Sequence, residues 1–214
     1  MQKASLLSYL VVGLLIGVVG GYGISVAVNS SSCTIISPAR CALRTAMRRL
    51  WSDHAIWTRN YVISALAQFD DLPEATARIL QNQVDIGAAI TTYYGADAGN
   101  KLTSLLKEHI LLAAAVVQAA KANNSSELAQ SNDKWYKNAQ DIAKFLSDAN
   151  PNWKYSDLVN MLNMHLKLLT DQVTARIQKR WKDEVAAFDA GYNEILAMAD
   201  QFTDGIVAQF PKKF

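Results

Sequence analysis

The chain has 214 residues, half of them hydrophobic, and its 21 basic and 19 acidic side chains leave a net charge of +2. This balance argues against nucleic acid as a partner, which asks for a pronounced basic patch. Two cysteines with no CxxC or Cys/His spacing exclude a structural zinc module.

Residues 4–39 carry no charge, and Leu6 to Val28 is almost wholly apolar. A spanning helix needs about 20 such residues. The stretch is too long for the apolar part of a cleaved signal peptide, so residues 1–30 are predicted to form a transmembrane signal anchor. Gly13, Gly17 and Gly21 stand four apart on one face, the spacing that lets two membrane helices pack closely. Pairing of two copies through this face is the expected route to a homo-oligomer. A linker, 31–40, follows with Cys33, and Cys41 stands just beyond it. The pair is compatible with a local disulfide in an oxidising space or with two free thiols.

Arg40, Arg44 and Arg48 share one helical face behind the anchor. They are read as contacts to anionic lipid headgroups. Their excess over Lys3 places the soluble domain on the cytoplasmic side by the positive-inside rule. Glycosylation-type triplets at Asn29 and Asn123 point the other way.

From residue 41 to 214 the sequence reads as one all-α domain. Helices are predicted over about 41–69, 73–92, 98–122, 126–148, 155–180 and 182–209. Pro38, Pro73, the Gly95–Gly99 stretch, Asn123 to Ser126 and Asn150-Pro151-Asn152 mark their boundaries. The last two segments are also compatible with one long helix, since only Gly191 interrupts them. Leu102, Leu105, His109, Leu112, Val116 and Ala120 recur at three and four, a core-facing stripe. Leu43, Met47, Leu50, His54, Trp57 and Tyr61 repeat it in the first helix. Short connections imply an up-and-down bundle of about six helices.

A long repeat runs through this domain. His54, His109 and His165 are the three histidines, each preceded by two apolar residues and two variable ones. Asn82-x-x-Asp85-Ile86 returns as Asn138-x-x-Asp141-Ile142, with Asn193-Glu194-Ile195 as a degraded third copy. A period of this length suggests three repeated helical hairpins. In such a bundle the three imidazoles stand at one height. The leading reading is that each is a core residue bonded to an Asn, Asp or backbone partner. The alternative is a transition-metal site in which they converge with Asp85, Asp141 or Glu108. The Glu-x-x-His and HExxH signatures of known bundle and peptidase metal sites are missing. No GxSxG elbow or phosphate loop occurs in the soluble part, so no enzyme and no cofactor are expected. Arg78 with Asp85, and Arg176 with Asp183, read as ion pairs. Trp135, Tyr136 and Trp153 read as gap-fillers between helices, and 210–214 as a loose basic and aromatic tail.

Several stretches together carry a resemblance: Asp53-His54-Ala55-Ile56-Trp57-Thr58-Arg59, Leu80-Gln81-Asn82-Gln83-Val84-Asp85-Ile86-Gly87, Leu106-Lys107-Glu108-His109-Ile110, Asn150-Pro151-Asn152-Trp153, and 204–211. Over about 42–214 the chain resembles an uncharacterised family of small helical-bundle proteins of bacteria and large DNA viruses. The resemblance implies one helical domain and carries no catalytic residue. Where that family often has a histidine near the start of its last helical stretch, this chain has Tyr192-Asn193-Glu194. The expected role is a membrane-anchored structural or interaction protein with capsid or membrane proteins as partners. In a large virus it would be a minor virion component linking an internal membrane to the capsid shell, with its domain on that membrane's outer face. A metal-binding or redox-related bundle using the histidine layer is the alternative.

Overall fold

Pro38 starts the first helix where its missing N–H costs nothing, and Ser37 Oγ accepts the Arg40 N–H at 3.2 Å as its cap. From there the computed structural model describes residues 37–214. The expected membrane helix, its Gly13, Gly17 and Gly21 face, and Cys33 lie outside the described residues. Six helices follow in order: α1 Pro38–Ala67, α2 Leu72–Tyr94, α3 Ala96–Lys121, α4 Ser125–Ala149, α5 Tyr155–Ile177 and α6 Trp181–Gln209. A short 3-10 turn, Pro211–Lys213, ends the chain, and no strand occurs among the described residues.

The helices form an up-and-down ring. Each packs on the next in sequence, α6 closes back onto α1, and α3 also touches α1 and α5. The odd helices therefore run in one direction around the axis and the even helices in the other. The hairpin repeat is visible in the backbone itself. Gln68, Asn123 and Lys179 adopt left-handed conformations with φ of 58°, 52° and 58°. In each case the next residue's N–H returns to a carbonyl five positions earlier: Phe69 to Ser64, Asn124 to Ala119 and Arg180 to Ala175. That is the closing bond of a Schellman-type helix end. The one-helix alternative for 155–209 fails here, because Lys179 breaks α5 from α6.

The α1–α6 seam that closes the ring is lined with charge. Arg40 and Arg44 reach Asp204 at 3.0 and 2.6 Å, and Arg48 grips Asp200 through Nε and Nη2 at 2.8 and 2.7 Å. The arginine face expected to contact lipid headgroups is thus directed at α6 carboxylates within the bundle. The reason is register: Asp200 and Asp204 are one turn apart, matching the four-residue step of the arginines. The Arg48 guanidinium beside Asp200 holds that carboxyl below the usual range. Cys41 is exposed on the second turn of α1.

One helix, α3, is by length and composition apolar enough to cross a membrane. Within the bundle its apolarity has a local use. Helices pack against it on several sides, so Leu102, Leu105, Leu106, His109, Ile110, Ala113, Val116, Val117 and Ala119 are all buried, a wider band than the sequence stripe. Trp135 and Trp153 are also buried, as gap-fillers should be. The C-terminal tail is packed: Phe210 and Phe214 lie 5.8 and 5.9 Å from the Tyr93 ring, and Lys213 Nζ donates to Thr92 O at 3.0 Å.

Trp153 occupies space that a side chain at position 205 would fill, since a Cβ on Gly205 would collide with the indole ring. The indole N–H then donates to Gln201 O at 3.3 Å. Gly205→Ala should therefore lower stability by about 1–3 kcal/mol through overpacking, read as a shifted urea midpoint with unchanged slope. A variant as stable as the wild type would show that Trp153 yields freely.

Candidate functional site

The repeat places His54, His109 and His165 on α1, α3 and α5, the helices that run in parallel. Their side chains meet at one level near the axis. The His165 ring centre is 5.8 Å from that of His54 and 6.5 Å from that of His109. An imidazole brought into a core needs partners for its nitrogens. The second helix of each hairpin brings a polar side chain to Nδ1, although among the described residues only His109 is bonded at both nitrogens.

The α3–α4 hairpin shows the arrangement in full. His109 Nδ1 donates to Asn138 Oδ1 at 2.8 Å, and its Nε2 accepts from the Trp135 indole N–H at 3.2 Å. The Asn138 amide donates onward to Leu105 O at 3.2 Å, the carbonyl four residues before the histidine. In the α1–α2 hairpin Asn82 makes the matching bond to Leu50 O at 3.0 Å. Gln83 Nε2 stands 3.3 Å from His54 Nδ1. In the α5–α6 hairpin the equivalent position is Glu194, whose Oε2 lies 3.3 Å from His165 Nδ1.

Electrostatics separate the three. Burial pushes His54 down to about 3, helped by the neighbouring charge of His165 and then of His109, against the bonds to Asn82 and Gln83. Burial likewise pushes His109 down to about 4, with His165 adding to the effect and Asn138 opposing it. Both are therefore neutral at physiological pH. For His109 the geometry requires it, because a proton on Nε2 would face the Trp135 N–H.

Two small cavities flank the layer, each of about 30 Å³. The first is almost entirely apolar and touches all three histidines, with Trp51, Met198 and Phe202 among its walls. The second lies between α1, α5 and α6 and is bounded by His54, His165, Thr58 and Gly191. Either has room for about one water and not for an organic substrate.

The acidic members of the predicted metal set are elsewhere. Asp85 is turned outward to Arg78, at 3.8 Å, and to Gln81, at 3.0 Å. Asp141 is on the surface beside Lys137, at 3.2 Å, and Glu108 is exposed. Three residues on, the helix has turned about 60° from the Asn direction, away from the side of buried Ile86 and Ile142, so Asn82 and Asn138 face the core and their aspartates lie on the flank. Among the described residues no group of three or more His, Cys, Asp or Glu is arranged to hold a metal ion. Of the two expected ion pairs, Arg78–Asp85 forms, with Asp53 also reached at 3.2 Å. Arg176 turns instead toward Glu184, at 4.0 Å, while Asp183 pairs with Arg180.

Glu194, Trp135 and Gln83 are the layer residues that the sequence reading did not single out as partners. The signal for Glu194 was present: it stands 56 residues after Asn138, as Asn138 stands 56 after Asn82. No protein-family model, no curated protein and no solved structure matches this chain.

The neutral histidines set a pH dependence. Their folded-state values lie below the ordinary 6.5, so the unfolded chain binds the extra protons. Their contribution is fully present above about pH 6.5 and is lost as pH falls toward 4 and 3. Each histidine adds a slope of up to about 1.4 kcal/mol per pH unit in that window. Urea unfolding at pH 7 and pH 5 should differ by on the order of 2–4 kcal/mol, and His109→Gln should remove about half of the difference. Equal stability at the two pH values would contradict the buried neutral layer.

Proposed function

We propose that this protein is a membrane-anchored structural or interaction protein, with residues 1–30 as the anchor and the helical bundle as the part that meets other proteins. The carrying observation is at the surface. Phe69, in the α1–α2 turn, and Trp181, at the start of α6, are 54% and 56% exposed. Each borders an open groove, of about 620 and 350 Å³ respectively. Exposed aromatic side chains beside a concave surface are what protein interfaces select. The interior supports the same reading, since its polar layer is engaged in holding hairpins together and its cavities are water-sized. The role proposed for a viral host is a minor virion component between an internal membrane and the capsid shell. Kinship with the uncharacterised helical-bundle family is part of the same proposal.

Two experiments test it. Deleting residues 1–30 should move the protein from the floating to the soluble fraction of a lipid gradient with its helical circular dichroism intact; a truncated form that still floats would sink the anchor. A photo-crosslinker at position 69 or 181 of the membrane-bound chain should give discrete protein adducts that one at exposed Lys134 does not. Equal labelling at all three positions would remove the docking role.

A further inference from the structure

The three hairpins solve one packing problem three times, and the third solves it differently. Asn82 and Asn138 bring an amide that both meets the histidine region and donates to a backbone carbonyl four residues before the histidine. Glu194, in the third copy, has no donor to offer when ionised. Its two oxygens and His165 Nδ1 are buried without a well-aligned hydrogen bond among the described residues, although Oε2 and Nδ1 are only 3.3 Å apart. Three residues earlier on each even helix the copies differ again. Ile79 and Trp135 fill their positions, and Trp135 closes off His109 Nε2. The third copy has Gly191, and there the second cavity opens beside His165 and Thr58, whose buried hydroxyl oxygen is also unpartnered. The cavity is mostly apolar, but His165 and Thr58 give it polar groups, and its size suits one water. His165 and Glu194 retain side-chain exposures of 12% and 14%, so solvent protons have a short way in.

We infer that His165 and Glu194 form a proton-binding site, an imidazolium–carboxylate pair joining α5 to α6 within an otherwise neutral histidine layer. An ionised carboxylate in this surrounding is stabilised by a positive partner, and His165 Nδ1 is the basic atom next to it, 3.3 Å from Oε2. One proton taken from solvent onto Nδ1 completes the pair; its release returns a neutral imidazole facing an uncompensated carboxylate, which loosens the α5–α6 contact. Among the described residues, the following charged groups on the packed helices have partners of their own. From α1 the facing group is His54, neutral, while Asp53 turns to Arg78 and Arg48 to Asp200. From α3 it is His109, held neutral by Asn138 and Trp135 of α4. On α6, Tyr192 bonds Ser52, Asp200 is held by Arg44 and Arg48, and Glu184 is taken by Arg59 and Arg176. On α5, Lys167 pairs with Asp171. The site stands independently of the interaction role.

The test is the protonation state of each histidine, read by long-range proton–nitrogen spectra of the full chain with labelled histidine, in the lipid or detergent that keeps it dispersed. At pH 7 His165 should carry protons on both ring nitrogens, and His54 and His109 on one. Glu194→Asn restores the residue of the other two copies, so the fold should persist, with His109 signals unchanged and His165 reduced to one proton. A neutral His165 in the wild type, or a doubly protonated His165 in the variant, would overturn the site. A wild-type titration decides the matter without any variant. The loss of the His165 proton on raising pH should move the Glu194 carboxyl carbon resonance at the same midpoint, and independent midpoints would refute the pair.

Discussion

The need of a buried imidazole for partners on both sides is the constraint around which this bundle is arranged. Hydrophobic contacts between helices tolerate sliding, because one aliphatic side chain replaces another at small cost. A histidine in the core does not, since an unpartnered buried nitrogen costs on the order of 1–3 kcal/mol. His109 is bonded at both nitrogens to α4, and Asn138 is bonded back to the α3 backbone. Those bonds fix the height of one helix against the next. With the Asn82 bond to Leu50 O in the first hairpin, the same register is set twice around the ring.

That constraint also limits what the layer can do. A metal ligand must offer a free lone pair, and His109 has none to give: one nitrogen carries the proton donated to Asn138 and the other accepts from Trp135. The aspartates that completed the metal reading turn to the surface, because the helix carries them past the inward face. What is left is a layer of two neutral rings and one ring beside a carboxylate. The charges near it are absorbed locally, by the arginine ladder on Asp200 and Asp204 and by the cluster of Arg59, Arg176 and Gln172 around Glu184. Exposed pairs of the first kind contribute register more than stability.

Much of the fold was legible because its punctuation is chemical. Pro38 and Pro73 sit in first turns, Gly95 has φ of 85°, and Asn150 ends α4 fully buried, with its amide donating to the Tyr94 hydroxyl. The break between α5 and α6 was not legible. It rests on Lys179 in a left-handed conformation, which a lysine's chemistry does not announce; only its spacing from Gln68 and Asn123 does. The histidines' convergence was readable from spacing alone, but their partners were not. Aligning the third copy on Asn193 shifted it by one residue, and in a helix one residue is about 100° of direction. The tail looked loose because a short basic end usually is, whereas Tyr93 offers Phe210 and Phe214 a flat apolar ring to cover.

Repetition then becomes a way to tell structural polar residues from the others. Where three copies place the same group in the same bonds, packing and partner satisfaction account for it. Where one copy departs, that copy has to satisfy its neighbours by other means. Asn82 and Asn138 show that a neutral amide suffices at this level of the ring. Glu194 brings a carboxyl group into the same position, and Gly191 lines a cavity beside His165 where Trp135 seals the second hairpin. Both departures fall on α6, one turn apart, and both touch the surroundings of the same histidine. Fold requirements alone explain neither of them, since the sibling hairpins fold without them. The asymmetry therefore sets the α5–α6 hairpin apart as the copy whose histidine meets a carboxyl group instead of an amide.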